Sequence, residues 1–106
     1  MSEVVVVAVV RALPGNEERV LELYRGLLEP THLEDGCLLY ALHRDRADPG
    51  RLVFVERWAS ADALTRHACS AHIARVSEEA APLLQGPVEV MVLDPVPGGD
   101  PAFGLL

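Results

Sequence analysis

The sequence contains no lysine, only two cysteines, five aromatic residues and no apolar run longer than seven residues. Each scarcity excludes something. The longest apolar run, Val4 to Val10, falls far short of the roughly 20 residues that span a bilayer, so no membrane association is expected. Met1, Ser2 and Glu3 precede that run without a positive charge, so it does not read as a secretory signal and a cytoplasmic location is the expectation. Cys37 and Cys69 are too few for a disulfide framework and are not spaced as a metal knuckle; both read as reduced thiols. Nine bases, all arginine, stand against sixteen acids, a net charge of −7 with no local basic stripe, which argues against a nucleic-acid partner. The lack of lysine alongside plentiful Ala, Gly and Pro follows GC-rich codons and points to a GC-rich bacterial genome. Neither GxGxxG, GxxxxGK[ST], GxSxG nor CxxC occurs, so no cofactor is expected.

What is present is a foldable chain. Half of the 106 residues are hydrophobic and 24% are charged, the balance of a globular protein. That length suits one domain, burying about two thirds of its surface.

Val4 to Val10 is a β-branched run bounded by Leu13-Pro14-Gly15 and predicts a first strand buried on both faces. Asn16 is placed to cap a helix whose first turn carries Glu17 and Glu18, with Val20, Leu23, Tyr24 and Leu27 on its inner face. Pro30 is expected to end or kink it, leaving one further turn over Thr31 to Asp35 before Gly36. Cys37–His43 and Arg51–Trp58 predict two strands paired as a hairpin through Ala47-Asp48-Pro49-Gly50. Ser60 opens a short helix, a break follows near Cys69 and Ser70, and a second helix carries Ile73, Val76, Ala80 and Leu83 inward. Gln85-Gly86-Pro87 stops it and Val88–Leu93 is the fourth strand. The thirteen residues from Asp94 include six that are Pro or Gly. The expectation is one domain over 1–93 and a tail over 94–106 whose apolar end, Phe103, Leu105 and Leu106, docks on the domain.

The order strand, helix, strand, strand, helix, strand is the α+β, ferredoxin-like split βαβ arrangement with an antiparallel sheet. Its helices cover one sheet face. The other is also apolar, and a second copy of the same sheet packed across a two-fold axis would cover it, so a homodimer is expected.

Two local anomalies suggest chemistry. On the strand face that carries Leu52, Phe54 and Trp58, the remaining member is Glu56, and a carboxylate there must be paired or protonated. A buried ion pair with an Arg or His would account for it equally well. Trp58, the only tryptophan, fits either a core position or a ligand platform. The second anomaly is the pair His67 and His72. On an unbroken helix they point about 140° apart, and they converge only if the helix breaks at Ser70. A metal reading would need a third ligand, which no HExxH or Cys/His cluster supplies, so no metal is expected.

Glu56-Arg57-Trp58-Ala59-Ser60, followed by Ala63-Leu64, His67, Ser70 and His72, resembles the E-x-W-x-S…A-L…H-x-x-S-x-H signature of the antibiotic biosynthesis monooxygenase (ABM) domain. Pro14-Gly15-Asn16 and Glu34-Asp35-Gly36-Cys37 leading to Tyr40 are similar to two further motifs of that family, so the resemblance spans residues 4 to about 93. It implies a dimeric α+β barrel with a pocket between sheet and helices in each protomer. The family includes cofactor-free oxygenases of quinols and aromatic polyketides, haem-degrading enzymes and isomerases of small signalling molecules. The haem-degrading pattern is absent, with Val10, His67 and Ser77 at its aligned positions. The polyketide-oxygenase pattern keeps only Trp58, with Phe54 and Leu64 replacing its Asn and Tyr. Glu56, His67 and His72 are shared by the quinol-oxidising and isomerase-like branches, and Trp58 favours the first.

The leading expectation is a cofactor-independent, quinol-monooxygenase-like enzyme oxidising an electron-rich phenol, quinol or polyketide-type aromatic to a quinone with O2. His67 would act as base, Glu56 would orient or charge it, Trp58 would form the ring wall, and His72 and Tyr40 would be polar contacts. An isomerase or tautomerase of a small carbonyl compound using the same His and Glu, and a non-catalytic dimer that binds a hydrophobic small molecule, are the alternatives.

Overall fold

In a computed structural model that describes residues 2–106, the chain forms one four-stranded antiparallel sheet with its main helices on one face. The strands are β1 (Val4–Arg11), β2 (Cys37–Arg44), β3 (Arg51–Trp58) and β4 (Glu89–Leu93), in the spatial order β2-β3-β1-β4. The helices are α1 (Glu17–Arg25), α2 (Leu28–His32), α3 (Ala61–Ala68), α4 (Ala71–Ala80) and the four-residue α5 (Pro101–Gly104). A 3₁₀ turn at Ala81–Leu83 extends α4. This is the α+β ferredoxin-like fold.

Register explains which residues meet. Val4 pairs with Trp58, Val6 with Glu56, Ala8 with Phe54 and Val10 with Leu52, and residues opposite one another share a face. That face is the core: Val6, Val10, Leu52 and Trp58 are almost wholly buried beneath Val20, Leu27, Ala63 and Val76 of the helical layer. Of the alternate residues of β1, Val9 is buried but Val5 and Val7 are only half-buried, while Met91 and Leu93 on the same open face remain 52% and 42% exposed. Within one chain β1 is therefore fully covered on one side by the helices and only in part, at Val9, on the other. The tail does not close the other side: Phe103 is 90% exposed, and α5 is a local turn capped by the Asp100 side chain on Ala102 N at 2.9 Å.

Local chemistry moved some boundaries. The first helix breaks at Gly26 and Leu27, before Pro30, which sits in the first turn of α2. A first-turn residue needs no N–H partner within the helix, so proline is tolerated there. Asn16 occupies the N-cap position of α1 without a side-chain cap; Glu17 Oε1 instead accepts Gly15 N–H at 3.0 Å. The break between α3 and α4 falls at Cys69 and Ser70 as the sequence predicts. Ser60 caps α3 by accepting Ala63 N–H at 3.1 Å, whereas the Ser70 hydroxyl turns back and donates to the His67 carbonyl at 2.7 Å. Its bond tightens the end of α3 rather than capping α4.

Candidate active site

Three consecutive alternate residues of β3, Phe54, Glu56 and Trp58, point from the sheet into the helical layer, and Tyr40 of β2 lies opposite Glu56 in register. Tyr40 packs on Phe54 with ring centroids 4.8 Å apart. α3 brings His67 down onto this aromatic floor, 4.6 Å from the Trp58 ring and 5.2 Å from Tyr40. His67 is 6% exposed and Glu56 4%, so both polar groups sit inside the packed layer.

The partners of these groups differ from the sequence-based assignment. Glu56 does not orient His67: its Oε1 accepts the indole N–H of Trp58 at 2.9 Å. The group that holds His67 is Glu34, whose Oε2 accepts His67 Nδ1–H at 2.8 Å and His72 Nε2–H at 2.7 Å. The two histidines converge through the helix break, with ring centroids 6.2 Å apart, on this one carboxylate oxygen. Glu34 lies in the α2–β2 loop, where no periodic pattern marks a residue as inward-facing; its only signal was its place in Glu34-Asp35-Gly36.

Gly36 fixes that loop. Its φ of +83° is left-handed, and a Cβ there would meet Ala63 Cβ of α3 at 2.5 Å. Its carbonyl also accepts Ala59 N–H at 2.8 Å, tying the loop to the start of α3. Only glycine allows the approach that sets Glu34 against His67.

A cavity of about 230 Å³ opens between the sheet and the helices. Its polar groups come from His67, Glu56, Tyr40, Tyr24 and Ser77, and the rest of the lining is apolar, including Val6, Phe54, Leu64 and Ile73. Trp58 and His72 are not part of this lining. Trp58 is roofed by the His67 imidazole and its N–H is spent on Glu56; His72 backs Glu34. Both therefore sit behind the cavity lining, away from the positions that a ring wall and a ligand contact would take. A wider depression of about 420 Å³ lies on the open sheet face near the tail, but its charged pair, Arg57 and Glu3, is already joined at 3.0 Å.

Burial sets the acidity of this site. Burial pushes the Glu56 carboxyl up from about 4.5 to about 7; the Trp58 N–H opposes the shift and the nearby Glu34 charge adds to it. Burial, reinforced chiefly by the Glu56 charge, raises the Tyr40 phenol far enough to keep it protonated. The Cys37 thiol is raised by burial and then by Glu34 and Glu56, so it is not an activated nucleophile. His67 Nδ1–H is committed to Glu34, which selects the tautomer in which Nε2 is the other nitrogen of a ring that lines the cavity. An imidazole nitrogen and a carboxyl group whose pKa is raised to about 7 thus face one largely apolar chamber.

The family model described as antibiotic biosynthesis monooxygenase matches residues 3–79. The chain belongs to this family. Among ABM relatives, "Putative monooxygenase Rv0793" of Mycobacterium tuberculosis is 37% identical over 95 residues, covering 90% of this chain and 93% of the relative. The structure of Rv0793 superposes with a TM-score of 0.85 at 33% identity, covering 93% of this chain and all of that one. PA3566 of Pseudomonas aeruginosa gives a TM-score of 0.86 at 33% identity, covering 92% and 97% of the two chains. A crystal structure described as an antibiotic biosynthesis monooxygenase gives 0.83 at 35% identity, covering 89% and 99%. The ABM fold is thus matched along nearly the full length of both chains. Among the described residues, no helix is long and apolar enough to cross a membrane.

Proposed function

We propose that this ABM protein is a cofactor-independent monooxygenase that oxidises an electron-rich phenol or quinol, or a polyketide-type aromatic, to a quinone with O2. The observation that carries this reading is the tautomer lock: Glu34 takes His67 Nδ1–H, and the other imidazole nitrogen is left to meet a phenol in an apolar chamber. A phenolate gives an electron to oxygen far more readily than a phenol, so proton removal and positioning are the enzyme's task. His67 Nε2 takes the phenolic proton. Electron transfer to O2 and recombination form a peroxide on a ring carbon, and loss of water leaves the quinone carbonyl. One oxygen atom enters the product, the other leaves as water, and the substrate supplies all four electrons. Glu56, half-protonated near pH 7, supplies the proton for the departing oxygen. Trp58 holds Glu56, and Tyr40 fixes the floor beneath the substrate.

The elevated Glu56 acid also favours a second reading, an isomerase or tautomerase of a small carbonyl compound in which Glu56 protonates the oxygen and His67 moves the proton, without O2. A protein that merely sequesters a hydrophobic molecule would return its ligand unchanged. Oxygen-electrode measurements with a dihydroxynaphthalene substrate separate the three. Uptake should persist after exhaustive chelation and fall by about a hundredfold or more in His67→Ala, the usual contribution of a general base. Turnover without uptake would transfer the site to the isomerase reading.

The active unit in this proposal is a homodimer. Val5, Val7, Val53, Val55, Met91 and Leu93 share the open face, and a second copy joined by a two-fold axis buries the same patch on both partners.

A further inference from the structure

The acid–base role uses one histidine, yet the carboxylate holds two. We propose that Glu34, His67 and His72 form a binding site for one divalent transition-metal ion, and that the bound ion switches off His67 as a base.

His67 Nδ1, His72 Nε2 and Glu34 Oε2 all lie within 4.8 Å of one another. Two imidazole nitrogens and a carboxylate oxygen are a donor set for zinc and its first-row neighbours, while magnesium and calcium prefer oxygen alone. Metal–nitrogen bonds of about 2.0–2.1 Å place tetrahedral donors about 3.4 Å apart. The two pairs to Glu34, at 2.8 and 2.7 Å, would widen by about 0.6 Å, while the two imidazole nitrogens, within 4.8 Å of each other, would settle at the same spacing. The three donors come from the α2–β2 loop, α3 and α4, so they can separate without breaking a helix. The Glu34 and His72 side chains each keep 17% of their surface exposed, which gives the ion a route from solvent. Three protein ligands leave a fourth position for water.

The consequence for His67 follows from the ring itself. Without metal, the Nδ1–H bond to Glu34 leaves a neutral His67 ring with its lone pair on Nε2. Coordination through Nδ1 moves the proton of the neutral ring to Nε2, so the cavity meets an N–H in place of a base. Binding and the tautomer change stand independently of the proposed function; only the loss of turnover rests on it.

The test uses the full chain with zinc chloride in calorimetry and cobalt(II) in visible absorption. One ion per chain should bind, and zinc should raise the Tm of the wild type. Glu34→Gln and His72→Gln should each weaken binding by at least roughly tenfold, the loss that even an outer partner of a metal site causes, with circular dichroism confirming that both variants fold. His32→Ala and His43→Ala should leave binding unchanged. Absence of heat and of a cobalt band, or binding that survives the Glu34 and His72 changes, overturns the site. Nitrogen-15 imidazole spectra should show the His67 proton on Nδ1 without metal and on Nε2 with zinc; an unmoved proton overturns the switch. Zinc should also abolish oxygen uptake, with recovery on chelation. A zinc-loaded protein that keeps its full rate despite the moved proton overturns both the switch and the base role of His67, while the binding data stand.

Discussion

Glu56 shows how one residue's environment can be read from a strand. Alternation alone placed a carboxylate among Leu52, Phe54 and Trp58, and the structure buries it there. Its partner was not legible, because a tryptophan N–H two residues along the same strand supplies what an Arg or His was expected to give. The raised pKa has a consequence of definite sign. Below about pH 4.5 Glu56 is protonated whether the chain is folded or not; between about 4.5 and about 7 the folded state retains the proton and the unfolded state loses it. Stability contributed by this group is therefore fully present at low pH and is lost as pH rises through about 7, a cost of about 3 kcal/mol. Glu56→Gln keeps an oxygen for the Trp58 N–H and carries no charge, so denaturant melts across this range should show a flatter pH dependence and higher stability above pH 7. Glu34 is legible only as part of a motif, since nothing in a loop's pattern says where a side chain points. Glu34→Gln should lower kcat by about tenfold to a hundredfold with little change in KM, because it misplaces a base without touching the substrate.

At the scale of elements, the strands and their hairpin were legible because β-branched runs and turn chemistry are local signals. The break between α3 and α4 was legible from Ser70 for a similar reason, although the hydroxyl closes the preceding helix. Pro30 misled because proline is read as a stop, whereas it sits in the first turn of α2. The convergence of the site depends on the loop before β2, and that loop depends on Gly36. Gly36→Ala would combine a left-handed backbone with a Cβ overlapping Ala63. We expect a loss of at least about 2 kcal/mol, or a Tm lower by about 10 °C, measured by thermal unfolding. Activity should fall further than stability, because the displaced loop carries Glu34.

For the whole molecule, the ABM resemblance read from scattered residues extends along almost the entire chain, whereas cavity shape was invisible from sequence because it is set by how α1, α3 and α4 sit over the sheet. The open sheet face gives the clearest test at this scale. Val7 lies between Val55 and Met91, near the centre of that face. Val7→Glu should leave the core beneath it intact and yield a monomer in analytical ultracentrifugation where the wild type sediments as a dimer, since two like charges would oppose each other across the two-fold axis.

The stacking of Trp58 on His67 gives the molecule a built-in optical probe. It is the only indole in the chain, it is fully buried, and its ring centre lies 4.6 Å from the imidazole. All tryptophan emission therefore originates beside the proposed base, with no second emitter to dilute it. An imidazolium or a bound cobalt ion should quench that light, and a ligand filling the cavity should shift its colour. Titrating the untagged protein in a fluorimeter should then report occupancy of the site directly, and Trp58→Phe should leave it dark.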